Sequence, residues 1–499
     1  MNLMFAKKPL AVLLEEAKGE NRLRRILGPW ALTALGVGAI IGTGIFVLTG
    51  VAAHDRTGPA LILSFVVAGI ACIFAALCYG EFASMVPVAG SAYTYAYATL
   101  GEFFAWIIGW DLVLEYAVGS STVAHGWSAH FQDLLHSFGL GIPAALRTAP
   151  FDFDPGSGAF FSTGSVIDLP AVLITFIITI ILIKGIRESA GFNTGMVAVK
   201  LVIVLFVIAV GAFFVDSKNW VPFAPYGYTG ISFFGHTLFG QSGPGGMPLG
   251  MLAGSAIIFF AYIGFDSVST HAEEAKNPKK DVPFGIIVSL IVCTILYIAV
   301  SAIVTGMVPY DQIDINAPVS NAFARHGLPW AQRLIDVGAI TGITSVLLVM
   351  MLSQPRILLA MARDGMVPPG FFGAVHDKFR TPWKSTLATG LFVSIMAGFL
   401  PLRILAEMTN IGTLFAFVIV CTAVLIMRKT HPEADRPFRA PWVPFVPIMG
   451  IICCTVLMFS LPVENWWRLI GWLGIGMLIY YFYSRKHTIT RRLAKEGKL

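Results

Sequence analysis

The sequence predicts an all-α membrane protein of twelve transmembrane helices. Three observations carry this reading. The 499 residues are 56% hydrophobic and only 12% charged, where soluble domains carry about 25% charged residues. Twelve stretches approach or exceed the ~20 predominantly apolar residues that a membrane helix needs. The basic residues also alternate from one connection to the next. With the N-terminus inside, 26 Lys and Arg fall on inner segments and seven on outer ones, while Lys200 alone lies within a span. That asymmetry predicts cytoplasmic N- and C-termini in a cell membrane. The net charge of +6 then belongs to topology and to anionic lipid head groups, not to nucleic acid.

Residues 1–28 are read as a cytoplasmic tail. Leu10, Leu13, Leu14 and Ala17 among charges suit an amphipathic helix on the inner surface. The tail has no apolar core, so no cleavable signal peptide is expected. Segment 1 (30–51) carries Gly36-Val37-Gly38-Ala39-Ile40-Ile41-Gly42-Thr43-Gly44. Each glycine weakens a helix interior by about 1 kcal/mol, so a break is predicted here. In lipid, backbone freed by a break must line a cavity or find partners within the protein.

Segment 2 (59–86) contains Glu81. The connection after it, 88–95, has no basic residue and is expected to pack into the protein. Segment 3 (102–130) carries Asp111 and Glu115, four apart and on one face; charges at this depth face the bundle interior. His125 and His130 read as interfacial histidines. After an outer loop come segment 4 (167–184) and segment 5 (190–214). Lys200 lies ten residues into segment 5, about 15 Å along the helix. Burial makes its charge costly, which suits it to gain and lose a proton.

A second outer loop (215–247) leads to segment 6 (248–273), which reads Phe260-Ala261-Tyr262-Ile263-Gly264-Phe265-Asp266 and places a third acid at membrane depth. Segments 7 (283–307) and 8 (331–361) follow, the latter with Thr341, Thr344, Ser345, Met350 and Met351. Segments 9–12 (384–401, 403–428, 442–462 and 466–484) read as scaffold, with Trp466, Trp467 and Trp472 suiting an interfacial belt. All six cysteines lie in spans without a CxxC pair, and are read as packing residues; no disulfide, metal or other cofactor is expected.

Segments 1 and 6 run in opposite directions, are five apart, and both break near mid-membrane. That pattern points to a transporter built from inverted repeats. Half-helix N-termini there offer amides to an anion, and half-helix C-termini offer carbonyls to a cation. A zwitterionic amino acid fits both poles. Enzyme readings are disfavoured, because no HExxH or GxSxG motif occurs; Gly240-Gln241-Ser242-Gly243-Pro244 lacks the last glycine. An aromatic closing a broken-helix site argues against a channel.

The Gly42-Thr43-Gly44 break, the Phe260–Asp266 break and the tail from Glu273 and Glu274 through Asn277 and Pro278 to Pro283 resemble the amino acid–polyamine–organocation superfamily. Within it the chain is similar to bacterial homologues of the cationic amino acid transporters. The resemblance implies a leucine-transporter-type fold: a first repeat over 29–215, a second over 216–429, two extra helices over 430–485 and a cytoplasmic tail over 486–499. It implies proton-coupled uptake of a free L-amino acid, with protons as the coupling ion. The carboxylate would lie on the amides of Ile41, Gly42, Thr43 and Gly44, and the amine on carbonyls of Phe260, Ala261 and Ile263. Phe260 would gate the site, and Lys200 and Glu115, with Asp266, would handle the proton.

The departure is Met350, where arginine-carrying members tend to have a small polar residue. It favours small neutral amino acids such as alanine over arginine or lysine. A transporter of arginine or lysine and an exchanger without net proton flux are the alternatives. The bilayer is the expected surrounding, and any small membrane partner stays unnamed by the sequence.

Overall fold

The computed structural model describes residues 3–9, 27–86, 91–154, 159–184, 189–233, 236–243, 246–379 and 381–495. The expected amphipathic helix of the N-terminal tail lies outside them. Each of the twelve apolar segments coincides with helix. By length and composition alone, seven helical stretches qualify as membrane spans among the described residues. One of these, Pro29–Met85, holds segments 1 and 2 together. The pair Phe445–Phe459 and Val463–Ala494, bent by 111°, would make an eighth. Small two-stranded hairpins, such as Phe151–Asp154 with Ala159–Ser162, decorate the long loops.

The two predicted breaks are present. Segment 1 is helical over Pro29–Ile40, turns extended at Ile41 (φ −73°, ψ 106°), and resumes as a wide π-type turn over Gly44–Leu48. Segment 6 is helical over Met251–Ile258, tightens to a 3-10 turn over Phe259–Tyr262, and extends at Ile263 (φ −58°, ψ 135°). Gly264 follows at φ +116°, a conformation that only glycine adopts without strain.

The break-bearing segments lie inside a frame of paired helices. Segment 7 (Pro278–Met307) packs along segment 2 and the inner half of segment 1. Segment 8 (Pro329–Arg363) packs along segment 3, and segment 9 (Trp383–Phe399) along segment 4. The expectation for the inner connection holds for its described part. Ser91–Thr99 forms a helix, every residue of which is buried. The cysteines are buried between helices, Cys453 partly so.

Candidate functional site

The helix Pro29–Ile40 ends inside the protein, so its last carbonyls have no intrahelical partner. Lys200 answers them. Its Nζ lies 2.6 Å from the Gly38 carbonyl oxygen and 2.9 Å from that of Ile41. A third contact, 2.7 Å, is to Ser345 Oγ on segment 8. Ser345 in turn donates to the Gly342 carbonyl at 2.8 Å. Lys200 is fully buried. An ammonium has three N–H donors, and here three close acceptors meet it. The negative end of the helix dipole adds to the attraction. No carboxylate pairs with it among the described residues, so it is not locked in an ion pair.

On the other side of the break the chain restarts as a half-helix, whose leading amides have no preceding turn to bond. Gly42, Thr43 and Gly44 supply them. Ile41 differs from expectation, because its amide already donates to the Val37 carbonyl at 3.1 Å. Thr43 leans on segment 3. Its Oγ1 reaches the Val123 carbonyl at 3.5 Å, and a Cβ on Gly126 would come within 2.4 Å of its methyl group.

The two breaks touch. A Cβ on Gly44 would lie 2.2 Å from the Ala261 Cα, so only glycine permits this approach. Tyr297 of segment 7 spans the join. Its hydroxyl is 2.8 Å from the Ile40 carbonyl and 2.9 Å from that of Ala261, so its one proton serves either freed carbonyl. Asn410 of segment 10 (Leu402–Thr430) donates to the carbonyls of Ala256 and Ile257, each at 2.9 Å. Ordinary tyrosines and asparagines in apolar helices carry no sequence signal, and neither residue was foreseen from sequence.

Phe260 is buried in the 3-10 turn, where the gating aromatic was expected. Segment 8 presents Val346 to the segment 1 break, with its Cγ2 2.7 Å from where a Gly42 Cβ would stand. Met350 lies one turn further inward. Its methyl group packs on Gly119 of segment 3, with Thr409 of segment 10 beside it. The segment 8 side chain that meets Gly42 is thus Val346, a position that the sequence reading passed over.

Glu115 and Asp266 form a second centre at the segment 6 break. Both are buried. Tyr116 donates to Asp266, while Glu115 faces Asp266, Asp111 and Thr413. No ion pair joins Lys200 to either acid among the described residues. The histidines differ from the interfacial reading. His125 Nδ1 is 2.8 Å from Asp168, and His130 Nδ1 is 2.9 Å from Asp336. Both rings are buried, because each has found a carboxylate on a neighbouring element.

Ion pairs lie on both sides of the breaks. On one side, Arg403 contacts Asp55 at 2.5 Å, and the fully buried Arg56 lies 3.5 Å from Glu407. On the other side, Arg356 of segment 8 contacts Glu274 at 2.9 Å. Burial alone would push the Glu274 carboxyl up, but Arg356 and His271 outweigh it and hold it below its ordinary range.

Residues 27–480 match the amino acid permease family. The chain is 46% identical to the methylthioribose transporter of Bacillus subtilis (strain 168), over 99% of this chain and all of the relative. It is 46% identical to the branched-chain amino acid permease BcaP of the same organism, over 97% of this chain and 98% of the relative. A vacuolar cationic amino acid transporter of Arabidopsis thaliana is 39% identical over 87% of this chain and 68% of its own length. With the paired breaks, these matches place the chain in the amino acid permease family of the amino acid–polyamine–organocation superfamily, as a homologue of the cationic amino acid transporters.

Proposed function

We propose that this protein takes up neutral apolar L-amino acids, from alanine to the branched-chain residues, together with protons, by alternating access. The observation that carries the coupling is the threefold bonding of Lys200 to Gly38, Ile41 and Ser345. Only the protonated amine can donate all three bonds. Losing the proton removes at least one charge-assisted bond, worth about 1.5–3 kcal/mol, and the attraction to the helix end. Segment 5 then releases the inner half of segment 1, and the inner path opens. Glu115 and Asp266 act at the segment 6 break, where they hold the half-helix that carries the amine site.

In this reading the substrate carboxylate rests on the amides of Gly42, Thr43 and Gly44, and its amine on carbonyls near Phe260, Ala261 and Ile263. The side chain meets Val346, with Met350 behind it. Among the described residues the contacts found along that wall are apolar, Val346 at Gly42 and Met350 at Gly119, which supports neutral apolar substrates, as does the name of the branched-chain relative. A five-plus-five inverted repeat draws support from the packing of segments 1 with 6, 2 with 7, 3 with 8 and 4 with 9.

The test is uptake into proteoliposomes of labelled alanine, isoleucine and arginine, with and without an inward proton gradient. Concentration of alanine or isoleucine that depends on the gradient is expected. Arginine concentrated as well as either would overturn the substrate assignment. Exchange that ignores the gradient and needs amino acid on both sides would overturn the coupling.

A further inference from the structure

His130 and Asp336 take no part in the mechanism above. Both are fully buried, one on segment 3 (Gly119–Ser137) and one on segment 8. His130 Nδ1 and Asp336 Oδ1 are 2.9 Å apart. His130 Nε2 and Asp336 Oδ2 have no hydrogen-bond partner among the described residues. With a neutral imidazole, the pair buries a net negative charge; with one more proton it buries none. Burying an uncompensated charge is expensive.

Two neighbours make the site conditional. The Phe46 ring meets the His130 ring edge-on, with centroids 6.1 Å apart. Phe46 stands two residues past Gly44, in the half of segment 1 that follows the break. Asp133, one turn outward from His130 and only half-buried, interacts with His130, Asp336, Asp314 and His136. Its own contact is Asn321 of the helix Pro318–Arg325, at 3.5 Å. Arg333, the cation nearest on segment 8, is turned outward to the Ser137 carbonyl. Lys200 packs against Gly342, six residues or about 9 Å deeper along segment 8.

We propose that His130 and Asp336 form a proton-binding site in the outer half of the bundle, filled from the outer solution and sealed by Phe46 when the outer half of segment 1 closes over substrate. The proton comes from outer water, reached past Asp133. It adds to His130 Nε2, while Nδ1–H continues to donate to Asp336, and it returns to outer water when segment 1 reopens. Outer acid therefore favours the closed, substrate-holding state. This inference rests on the proton-coupled transport reading.

The test compares wild type, His130→Gln and Asp336→Asn in proteoliposomes at a constant pH difference, with labelled isoleucine and alanine. The external pH is stepped through about 8 to 5.5, the window open to an imidazole. Wild-type uptake is expected to rise through that window. Each variant should lose that rise while still exchanging amino acid at equal pH. Variants that exchange but keep the wild-type profile overturn the site. Wild type that moves neither amino acid overturns the transport reading instead. If a single variant fails to exchange, the swapped pair His130→Asp with Asp336→His restores one acid and one imidazole. Recovery of both exchange and the pH response supports the site, and recovery of exchange without the response overturns it.

Discussion

Lys200 and Tyr297 both bond to the carbonyls that a broken helix leaves free, yet only the first was legible. A lysine ten residues into an apolar segment is conspicuous because its charge is costly there. Tyr297 looks like any tyrosine on a lipid-embedded helix. Its role exists only once segment 7 lies across both breaks, and that is tertiary information. Tyr297→Phe removes the hydroxyl that serves Ile40 and Ala261. It should lower the unfolding free energy by about 1–3 kcal/mol, the cost of unsatisfied buried acceptors, read by thermal unfolding in detergent. Uptake should fall more than stability, because the join itself is loosened. Val346 was missed for a similar reason: a valine in an apolar helix gives no hint of which face meets the site. Val346→Ala should widen the space beside Gly42 and raise the rate for isoleucine relative to alanine, measured by competition uptake.

The breaks were readable as elements, because small residues at mid-membrane in two oppositely directed segments have few other uses. Their depth of contact was not readable. A sequence shows Gly44 and Gly264 but not that Gly44 abuts Ala261 or that Gly264 closes on the Ala39 carbonyl. Gly264→Ala places a side chain at φ +116°, with the Ala39 carbonyl oxygen 2.8 Å from the new Cβ. Backbone strain alone costs about 1–3 kcal/mol. The variant should unfold at lower temperature and lose uptake. The histidines were misread at this scale. Their carboxylate partners, Asp168 and Asp336, lie on other elements, and helical spacing within segment 3 could not reveal them.

Across the whole molecule, the topology count anticipated the helical order, and Lys200 stood out as a charge within a span, but its bonds to the carbonyls at the segment 1 break did not. The ion pairs on either side of the breaks were not anticipated, since each joins segments distant in sequence. Glu274 and Arg356 tie the inner end of segment 6 to segment 8. With its carboxyl held below the ordinary range, Glu274 adds stability that is present above the unfolded value of about 4.3. That stability is lost only as the pH falls through the lower folded value. The inner closure should thus persist through mildly acid conditions, and Glu274→Gln should open it at neutral pH. Labelling of a cysteine introduced on the inner half of segment 1 would report this as faster modification from the inside.

In the proposed cycle, the proton on Lys200 holds segment 1 and couples its release to transport. Concentrative uptake by Lys200→Ala in proteoliposomes, with an inward proton gradient and labelled isoleucine, tests it most directly. The variant should equilibrate substrate but not concentrate it, whatever the gradient. Accumulation to the wild-type level by a Lys200→Ala protein would contradict it.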